Sequence, residues 1–391
     1  MVNRITKEGI DLASGISNYG NYARLQRLFA RARQGEMLKI AFIGGSITQG
    51  SLASCAACCF AARVFAWWQE TFPKASFVYI NAGIGGTTSQ FGCARVYSDV
   101  LCYEPDFVAV EFSVNDEDSP FFLETYESLI RRILSDPCDP AVFIIHQVCY
   151  RNGLNAQAQH AKVARHYQIP SVSMQSSVYP KIRDGGISER GISPDGLHPN
   201  DNGHRLVSEV IIYFLQKILE ESGPVNCSAA RGCGQHDIHT LPRPLTAVSY
   251  LSAVRICNDR QPSVLDGFWI DTRPRQGLWD VFKHGWTAAR AGATIVFEVK
   301  ASEIAVQYRK LVNGLALSAK AVIDGDEDAA VLLDGNFDED WGDCLYLETL
   351  LYHGSNQKHT VAVTVLPMAK GQESAIPFYL ASLLVSSPDY A

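Results

Sequence analysis

The chain lacks an apolar run long enough to cross a bilayer, and it lacks an excess of positive charge. One of its longest apolar stretches, residues 207–219, is interrupted by Glu209, Gln216 and Lys217, whereas a membrane helix needs about 20 consecutive apolar residues. The 391 residues carry a net charge of −7, so no basic field is available to attract nucleic acid or an anionic membrane. We therefore expect neither nucleic acid nor a membrane as a partner.

A leader and a disulfide pattern are also missing. Residues 1–8 contain no apolar core of the kind that a secretory signal needs. The 11 cysteines are an odd number in a long chain, which suits a reducing compartment better than a disulfide scaffold. Both observations predict a cytoplasmic protein.

Metal and nucleotide motifs are scarce as well. The sequence has no glycine-rich phosphate loop of the Walker kind and no His-Glu-x-x-His run. The acidic run at residues 324–328 lacks the full calcium-loop pattern, and we interpret it as a solvated turn. We expect no cofactor and no metal.

Two groups of cysteines leave alternatives open. We interpret Cys55, Cys58 and Cys59 as small apolar residues on a helix over residues 55–72, with a metal or redox site as the alternative. The second group fits no standard zinc spacing and lies in a glycine-rich stretch; it consists of Cys227, Cys233, His236 and His239.

The length and the order of patterns predict two domains. In residues 1–222, apolar strands alternate with helical patterns, which predicts an α/β domain with a parallel sheet covered on both faces. Residues 223–244 hold several Gly and Pro residues and no periodic run, so we interpret them as a linker. Residues 245–391 contain short alternating strands separated by turns, which predicts an antiparallel β-sandwich of the jelly-roll kind.

Polar residues follow the predicted strands of the first domain. An apolar strand over residues 38–43 leads directly into a Gly-Gly turn and Ser46, and Gly86 and Asn115 also come just after strands. Because the carboxyl ends of parallel strands share one edge of the sheet, we expect these residues on the same edge. Asp195 and His198 come late in the chain, and a serine, a histidine and an aspartate are the components of a hydrolytic triad.

These residues lie in four short blocks that resemble those of the SGNH hydrolases, a branch of the GDSL esterases. The blocks are Gly44-Gly45-Ser46-Ile47-Thr48, Asn81-Ala82-Gly83-Ile84-Gly85-Gly86-Thr87, Val110-Glu111-Phe112-Ser113-Val114-Asn115-Asp116 and Asp195-Gly196-Leu197-His198-Pro199. The resemblance covers residues 38–220 and implies a three-layer α/β/α, flavodoxin-like fold. Gly45 replaces the family's usual Asp, and Ile47 replaces its usual Leu. This variant is similar to the carbohydrate acetylesterases of the group rather than to its lipases.

The resemblance implies a role for each residue of the blocks. Ser46 is the candidate nucleophile, His198 its base, and Asp195 either orients the imidazole or caps a local turn. The backbone N–H groups of Ser46 and Gly86, with the Asn115 side chain, are the candidate oxyanion donors. Gly85 is the alternative to Gly86, and a simple turn role is the alternative for Asn115.

The sequence also suggests roles for several other polar residues. We expect His204 and His146 to be structural, the latter as a core histidine with its hydrogen bonds satisfied. A carboxylate at Glu111 within an apolar strand needs a partner, for which we predict Arg95. Arg95 is also a candidate for substrate binding.

The domain order resembles that of bacterial enzymes that deacetylate mannan or xylan fragments. It implies an esterase that releases acetate from acetylated plant oligosaccharides, with the β-sandwich as a carbohydrate-binding module. Trp341 is the candidate sugar platform, and a place in the sandwich core is the alternative. The sequence leaves open whether the chain forms a homodimer.

Two rival functions also remain. A lipase or thioesterase would need an apolar groove, which the pairs Trp67-Trp68 and Phe121-Phe122 could line. A sugar-binding protein without catalysis would leave the triad unused.

Overall fold

The computed structural model describes residues 4–222, 241–274, 281–368 and 375–388. The chain forms two compact units, residues 1–248 and 249–391. Most of the predicted linker, and with it the group at Cys227, Cys233, His236 and His239, lies outside the described residues. Residues 241–248 belong to the first unit, where Glu127 accepts hydrogen bonds from the backbone N–H groups of Leu245 and Thr246.

The first unit alternates strands and helices. Its strands are Ile16–Asn18 (β1), Met37–Gly44 (β2), Ser76–Gly83 (β3), Phe107–Glu111 (β4), Ala141–His146 (β5) and Ser171–Ser173 (β6). Its α-helices are Ala23–Arg33 (α1), Ser46–Gln49 (α2), Phe60–Thr71 (α3), Ser89–Asp99 (α4), Pro120–Leu134 (α5), Gln157–His166 (α6), Val178–Arg183 (α7), Glu189–Ile192 (α8) and Asp201–Glu221 (α9). Short 3-10 helices span Leu12–Gly15, Ala56–Cys58 and Leu101–Tyr103.

The six strands form one sheet in the order β1-β6-β5-β4-β2-β3. Five of them are parallel, and only β1 at the edge runs antiparallel to its neighbour. Every residue of β4 and β5 is buried, as expected for strands that helices cover on both faces. The prediction of a parallel α/β domain is confirmed.

The helices form two layers, one on each face of the sheet. Helix α9 packs against α1 and α3 on one face, while α5 packs against α4 and α6 on the other. The main core cluster includes the side chains of Phe29, Trp68, Phe107 and Phe214. This packing holds the carboxyl ends of β2, β3 and β4 side by side.

One predicted helix begins later than expected. The pattern over residues 55–72 predicted a single helix, but α3 starts at Phe60. Cys59 has extended backbone angles, φ −62° and ψ 143°, and a 3-10 turn precedes it. Cys55 precedes that 3-10 turn and is exposed, and Cys58 ends it, so the prediction that these two are apolar residues on the α-helix is wrong; Cys59, the third cysteine of the group, is buried.

The second unit is built from antiparallel strands. They are Val254–Ile256 (β7), Val264–Asp266 (β8), Trp269–Ile270 (β9), Trp286–Ala288 (β10), Thr294–Ala301 (β11), Glu303–Lys310 (β12), Ala319–Ile323 (β13), Val331–Leu333 (β14), Cys344–Leu351 (β15), Gln357–Val365 (β16) and Phe378–Ser386 (β17). One sheet has the order β15-β12-β17-β10-β9, with β7 also paired to β17, and the other has the order β14-β13-β16-β11-β8.

The two sheets face each other across a shared core. Trp286 of the first sheet meets Phe297 of the second edge to face, with ring centroids 5.3 Å apart. The predicted antiparallel second domain is confirmed. The sequence pattern predicted five of these strands, and it missed β15 and the short strands β7 to β10 and β14.

No helix in the described ranges is long and apolar enough to cross a membrane.

Candidate active site

Ser46 stands at the end of strand β2, on the first residue of the four-residue helix α2. In the sheet register, Gly44 at the end of β2 lies opposite Gly83 of β3 and Glu111 of β4. A Cβ added at Gly44 would collide with the Glu111 carbonyl and Thr48, and one added at Gly83 would collide with the backbone of Gln49. These glycines let α2 sit directly on the edge of the sheet, which brings Ser46 to the expected position.

His198 and Asp195 approach Ser46 from the loop that precedes α9. His198 Nε2 is 2.8 Å from Ser46 Oγ, and His198 Nδ1 is 2.6 Å from Asp195 Oδ2. With Nδ1–H donating to the carboxylate, Nε2 is the acceptor for the serine hydroxyl. The three side chains therefore form a continuous hydrogen-bonded chain across 152 positions of sequence.

Asp195 also caps its own turn. Its Oδ1 accepts hydrogen bonds from the backbone N–H groups of Leu197 at 2.9 Å and His198 at 2.7 Å. Burial acts to raise the pKa of Asp195, but the hydrogen bonds from the His198 ring and these two N–H groups outweigh it and lower the pKa. The sequence posed orientation and capping as alternatives, whereas one oxygen of this carboxylate caps the turn and the other holds the imidazole.

Besides the Ser46 N–H, the candidate oxyanion donors come from Gly85, Gly86 and Asn115. The Gly85 N–H donates to Gln49 Oε1 at 2.9 Å, so this donor is already engaged. Gly86 has φ +68°, a left-handed conformation that favours glycine, and its N–H is the better candidate. Asn115 is partly exposed while its Oδ1 is buried, which leaves the Nδ2 donor as the end that can face a ligand.

The structure corrects both predictions for Arg95. Its side chain is 1% exposed, and it donates to the carbonyl oxygens of Ala82 and Gly44 and to Asp99. A guanidinium buried in this way cannot contact substrate. Nor does it pair with Glu111, which accepts a hydrogen bond from Thr48 Oγ1 at 3.1 Å.

Glu111 is a buried carboxyl directly beneath the serine helix. Burial raises its pKa to about 7, against the opposing effect of the Thr48 hydrogen bond. A carboxylic acid that is largely neutral below pH 7 needs no cation beside it, which explains why the predicted arginine partner is unnecessary.

Sequence reasoning missed a buried pair behind Asn115. Asp116 Oδ2 lies 3.0 Å from His160 Nε2, and Asp116 Oδ1 accepts from the Ser89 N–H at 2.9 Å. The His160 ring stacks on Tyr126 with centroids 3.5 Å apart. Only the position of Asp116 next to Asn115 hinted at this, because His160 is 44 residues away.

The two histidines that were predicted to be structural are both buried. His204 Nδ1 accepts from the Phe60 N–H, and its Nε2 contacts the Ser51 carbonyl, both at 3.3 Å, in agreement with a structural role. Burial lowers the pKa of His146 to about 3. Neither of its ring nitrogens has a hydrogen-bond partner among the described residues, so the prediction of satisfied hydrogen bonds is wrong.

Two further predictions concern aromatic residues. Trp341, in the second unit, is 52% exposed and donates through Nε1 to Glu339 at 3.1 Å, so it is not a core residue. Trp67 and Trp68 are buried in the core of the first unit against Phe29 and Phe72, and therefore cannot line an acyl groove.

The acidic run at residues 324–328 uses its carboxylates for local structure. Asp324 contacts His359, Asp326 caps the 3-10 helix Glu327–Ala329, and Glu327 pairs with Lys320. Within the described part of the chain, no group of three or more His, Cys, Asp or Glu side chains could hold a metal ion.

Comparison with known proteins identifies a family for the first unit. Residues 42–206 match the model of the GDSL-like lipase/acylhydrolase family. The thioesterase 1/protease 1/lysophospholipase L1 of Escherichia coli strain K12 is 26% identical over 148 residues, which are 36% of this chain and 68% of that protein.

Two solved structures extend the likeness to both units. A two-domain esterase active on acetylated mannans is 48% identical, with a TM-score of 0.90 over 97% of this chain and 99% of that one. The structure of that esterase co-crystallised with mannopentaose gives a TM-score of 0.89 at the same identity, over 97% of this chain and 98% of that one. The chain therefore belongs to the GDSL-like lipase/acylhydrolase family and is a two-domain serine esterase.

Proposed function

We propose that this esterase releases acetate from acetylated oligosaccharides of the mannan type. The observation that carries the proposal is the hydrogen-bonded chain from Ser46 through His198 to Asp195, in a protein whose 48% identity to an acetylated-mannan esterase extends over both units. An alignment of that identity that includes the second unit favours a mannan over a xylan substrate. No metal or cofactor takes part in the proposed reaction.

In the proposed first step, Ser46 Oγ attacks the acetyl carbonyl carbon while His198 Nε2 takes the hydroxyl proton. The oxyanion that forms is held by the N–H groups of Ser46 and Gly86 and by Asn115 Nδ2. Asp195 keeps Nδ1 protonated and stabilises the imidazolium. His198 then donates its proton to the departing sugar oxygen, which leaves an acetyl group on Ser46.

In the second step a water molecule replaces the sugar. His198 removes a proton from the water as its oxygen attacks the acetyl carbon, and the same donors hold the second oxyanion. Collapse returns the proton to Ser46 and releases acetate. The 2.8 Å distance between Nε2 and Oγ is short enough for proton transfer in both steps.

The thioesterase rival has weaker support. The relative that bears a thioesterase and lysophospholipase name is 26% identical and matches only 36% of this chain. The two tryptophans proposed as groove residues are buried, at 6% and 0% exposure for Trp67 and Trp68.

The test is to incubate the full chain and its Ser46→Ala variant with acetylated mannan and acetylated xylan oligosaccharides, and to measure free acetate. We expect release by the wild type alone, faster from mannan. Turnover of aryl acetates without acetate release from either glycan would show that the protein is an esterase but that these glycans are not its substrates. Activity that rises from acetate to octanoate esters would favour the thioesterase rival, and sugar binding with no turnover of any ester would favour a binding protein.

A further inference from the structure

The loop between α2 and α3 holds two sulfur atoms in contact on the protein surface. Cys55 Sγ and Cys58 Sγ are 3.2 Å apart. The Cys-Ala-Ala-Cys segment is closed by a 3-10 turn, in which the Cys58 N–H donates to the Cys55 carbonyl at 2.9 Å. A disulfide bond is about 2.05 Å long, so about 1 Å of approach, within reach of side-chain rotation, separates this pair from a bond.

Both sulfurs are accessible, but the two thiols differ in exposure and in pKa. Cys55 is exposed, and Cys58 is intermediate in exposure. The hydrogen bond between the two thiols lowers the pKa of Cys55 and raises the pKa of Cys58. In a thiol exchange, the thiol with the lower pKa is the one present as thiolate and attacks first.

Four other cysteines of the described chain lack this arrangement. Burial raises the pKa of Cys59, Cys93 and Cys344. Cys102 is exposed like Cys55, but its Sγ donates to the Ser98 carbonyl at 3.0 Å and its pKa is raised. Exposure alone therefore does not distinguish Cys55; its contact with Cys58 does.

We propose that Cys55 and Cys58 form a redox-active dithiol that closes reversibly to a disulfide with a low-molecular-weight disulfide as oxidant. The Cys55 thiolate attacks one sulfur of the oxidant, so that a mixed disulfide forms and the first small thiolate leaves with the proton that Cys55 lost. Cys58, once deprotonated, attacks Cys55 Sγ and expels the second small thiolate. Two protein thiols are oxidised by two electrons, and one small disulfide is reduced to two thiols.

The pair is tied to the framework of the active site. Ser54, next to Cys55, donates through its N–H and Oγ to Asp201 at the start of α9, at 2.8 and 2.6 Å. Cys59 Sγ lies 3.6 Å from the Thr48 carbonyl of helix α2. The loop ends are thus held on both sides, which keeps the two sulfurs together and favours ring closure over a lasting mixed disulfide.

The experiment uses the full chain, reduced and then equilibrated in buffers with increasing ratios of oxidised to reduced glutathione. After an acid quench, free thiols are labelled with a maleimide, and the peptides are analysed by mass spectrometry. We expect Cys55 and Cys58 to lose their labels together, in a peptide two hydrogen atoms lighter, with Cys59 still labelled after denaturation. Dithiothreitol should restore both labels.

Two variants sharpen the test. In Cys58→Ser, Cys55 should stop at the mixed disulfide with glutathione, whereas Cys102→Ser should leave the Cys55–Cys58 equilibrium unchanged. A stable mixed disulfide on Cys55 in the wild type, labels lost independently, or a bond from either cysteine to Cys59 would each overturn the proposal. Because the readout is thiol labelling, its failure is separate from any failure of the esterase proposal.

Discussion

Gly45 packs directly against the side-chain amide of Asn115. A Cβ added at position 45 would lie well inside 3.0 Å of Asn115 Oδ1, a separation that real Cβ atoms do not show. The Gly45 backbone has φ −87° and ψ −150°, which other residues adopt freely, so the restriction is one of space. The glycine that replaces the family's usual Asp therefore makes room for this position of Asn115.

A methyl group at position 45 should displace the proposed oxyanion donor. We expect Gly45→Ala to lower kcat on an aryl acetate by about 10²–10³, the usual effect of losing one such donor, while KM changes little. Steady-state kinetics measures both. Gly191→Ala is the matched control, because a Cβ there meets Ser188 at an ordinary 3.5 Å. A Gly45→Ala variant with wild-type kcat would show that catalysis does not need the Asn115 side chain in its present position.

Asp195 should act through its negative charge and through the tautomer of His198 that it selects. Its lowered pKa keeps the carboxylate ionised to below the ordinary aspartate pKa, so a loss of activity above that value does not arise from Asp195. We expect Asp195→Asn to reduce kcat at neutral pH by about 10⁴ with little change in KM, since the amide no longer enforces Nδ1–H.

The check is the pH profile of kcat for Asp195→Asn beside Asp184→Asn, whose side chain is 62% exposed and pairs with Arg183. Equal kcat values for the two variants would show that Asp195 caps the turn but has no role in catalysis.

His160 is expected to be a positioning residue. It holds Asp116, the neighbour of Asn115, at 3.0 Å. His160→Phe preserves a ring against Tyr126 but leaves a buried acceptor without its donor, which costs about 1–3 kcal/mol of stability. We expect a lower kcat with unchanged KM, and partial rescue by His160→Gln, whose amide can donate. A loss of stability with kcat unchanged in both variants would limit the pair to a structural role.

Glu111 should make the first unit less stable as pH rises. Its folded pKa of about 7 is above the ordinary value of 4.5, so its favourable contribution is complete below pH 4.5 and is lost as pH rises through 7. The shift corresponds to about 3 kcal/mol. Glu111→Gln should therefore gain stability relative to wild type between pH 5 and about 8.

Urea unfolding followed by the helical circular dichroism signal reports on the first unit, where the described α-helices lie. The control is Glu117→Gln, which changes an exposed side chain and should leave the unfolding curves at both pH values unchanged. If the difference in free energy of unfolding between wild type and Glu111→Gln is the same at pH 5 and at about pH 8, the raised pKa of Glu111 is contradicted.

Trp341 should contribute to sugar binding alone. We expect Trp341→Ala to raise KM for acetylated mannan oligosaccharides and to leave KM for an aryl acetate unchanged, because an aryl acetate has no sugar ring for an aromatic platform to hold. Trp269→Ala is the control, since Trp269 is 47% exposed in the same unit. Equal effects of Trp341→Ala on both substrates would end the platform hypothesis.

The local sequence determined the strand ends and the blocks on them. The apolar run before Ser46 and the turn residues at Gly86 and Asn115 predicted one sheet edge, and the register of Gly44 with Gly83 and Glu111 brings these segments together there. Strand and turn patterns depend on neighbours in the chain, so they can be read without a structure.

Only the tertiary structure decided which side chains meet. Glu111 has Thr48 rather than Arg95 beside it, Asp116 has His160, and Cys55 leaves the predicted helix to contact Cys58. These contacts depend on how helices pack on the sheet and where a helix begins. Burial then sets whether a carboxyl such as Glu111 is charged, and burial is a property of the packed chain rather than of any segment.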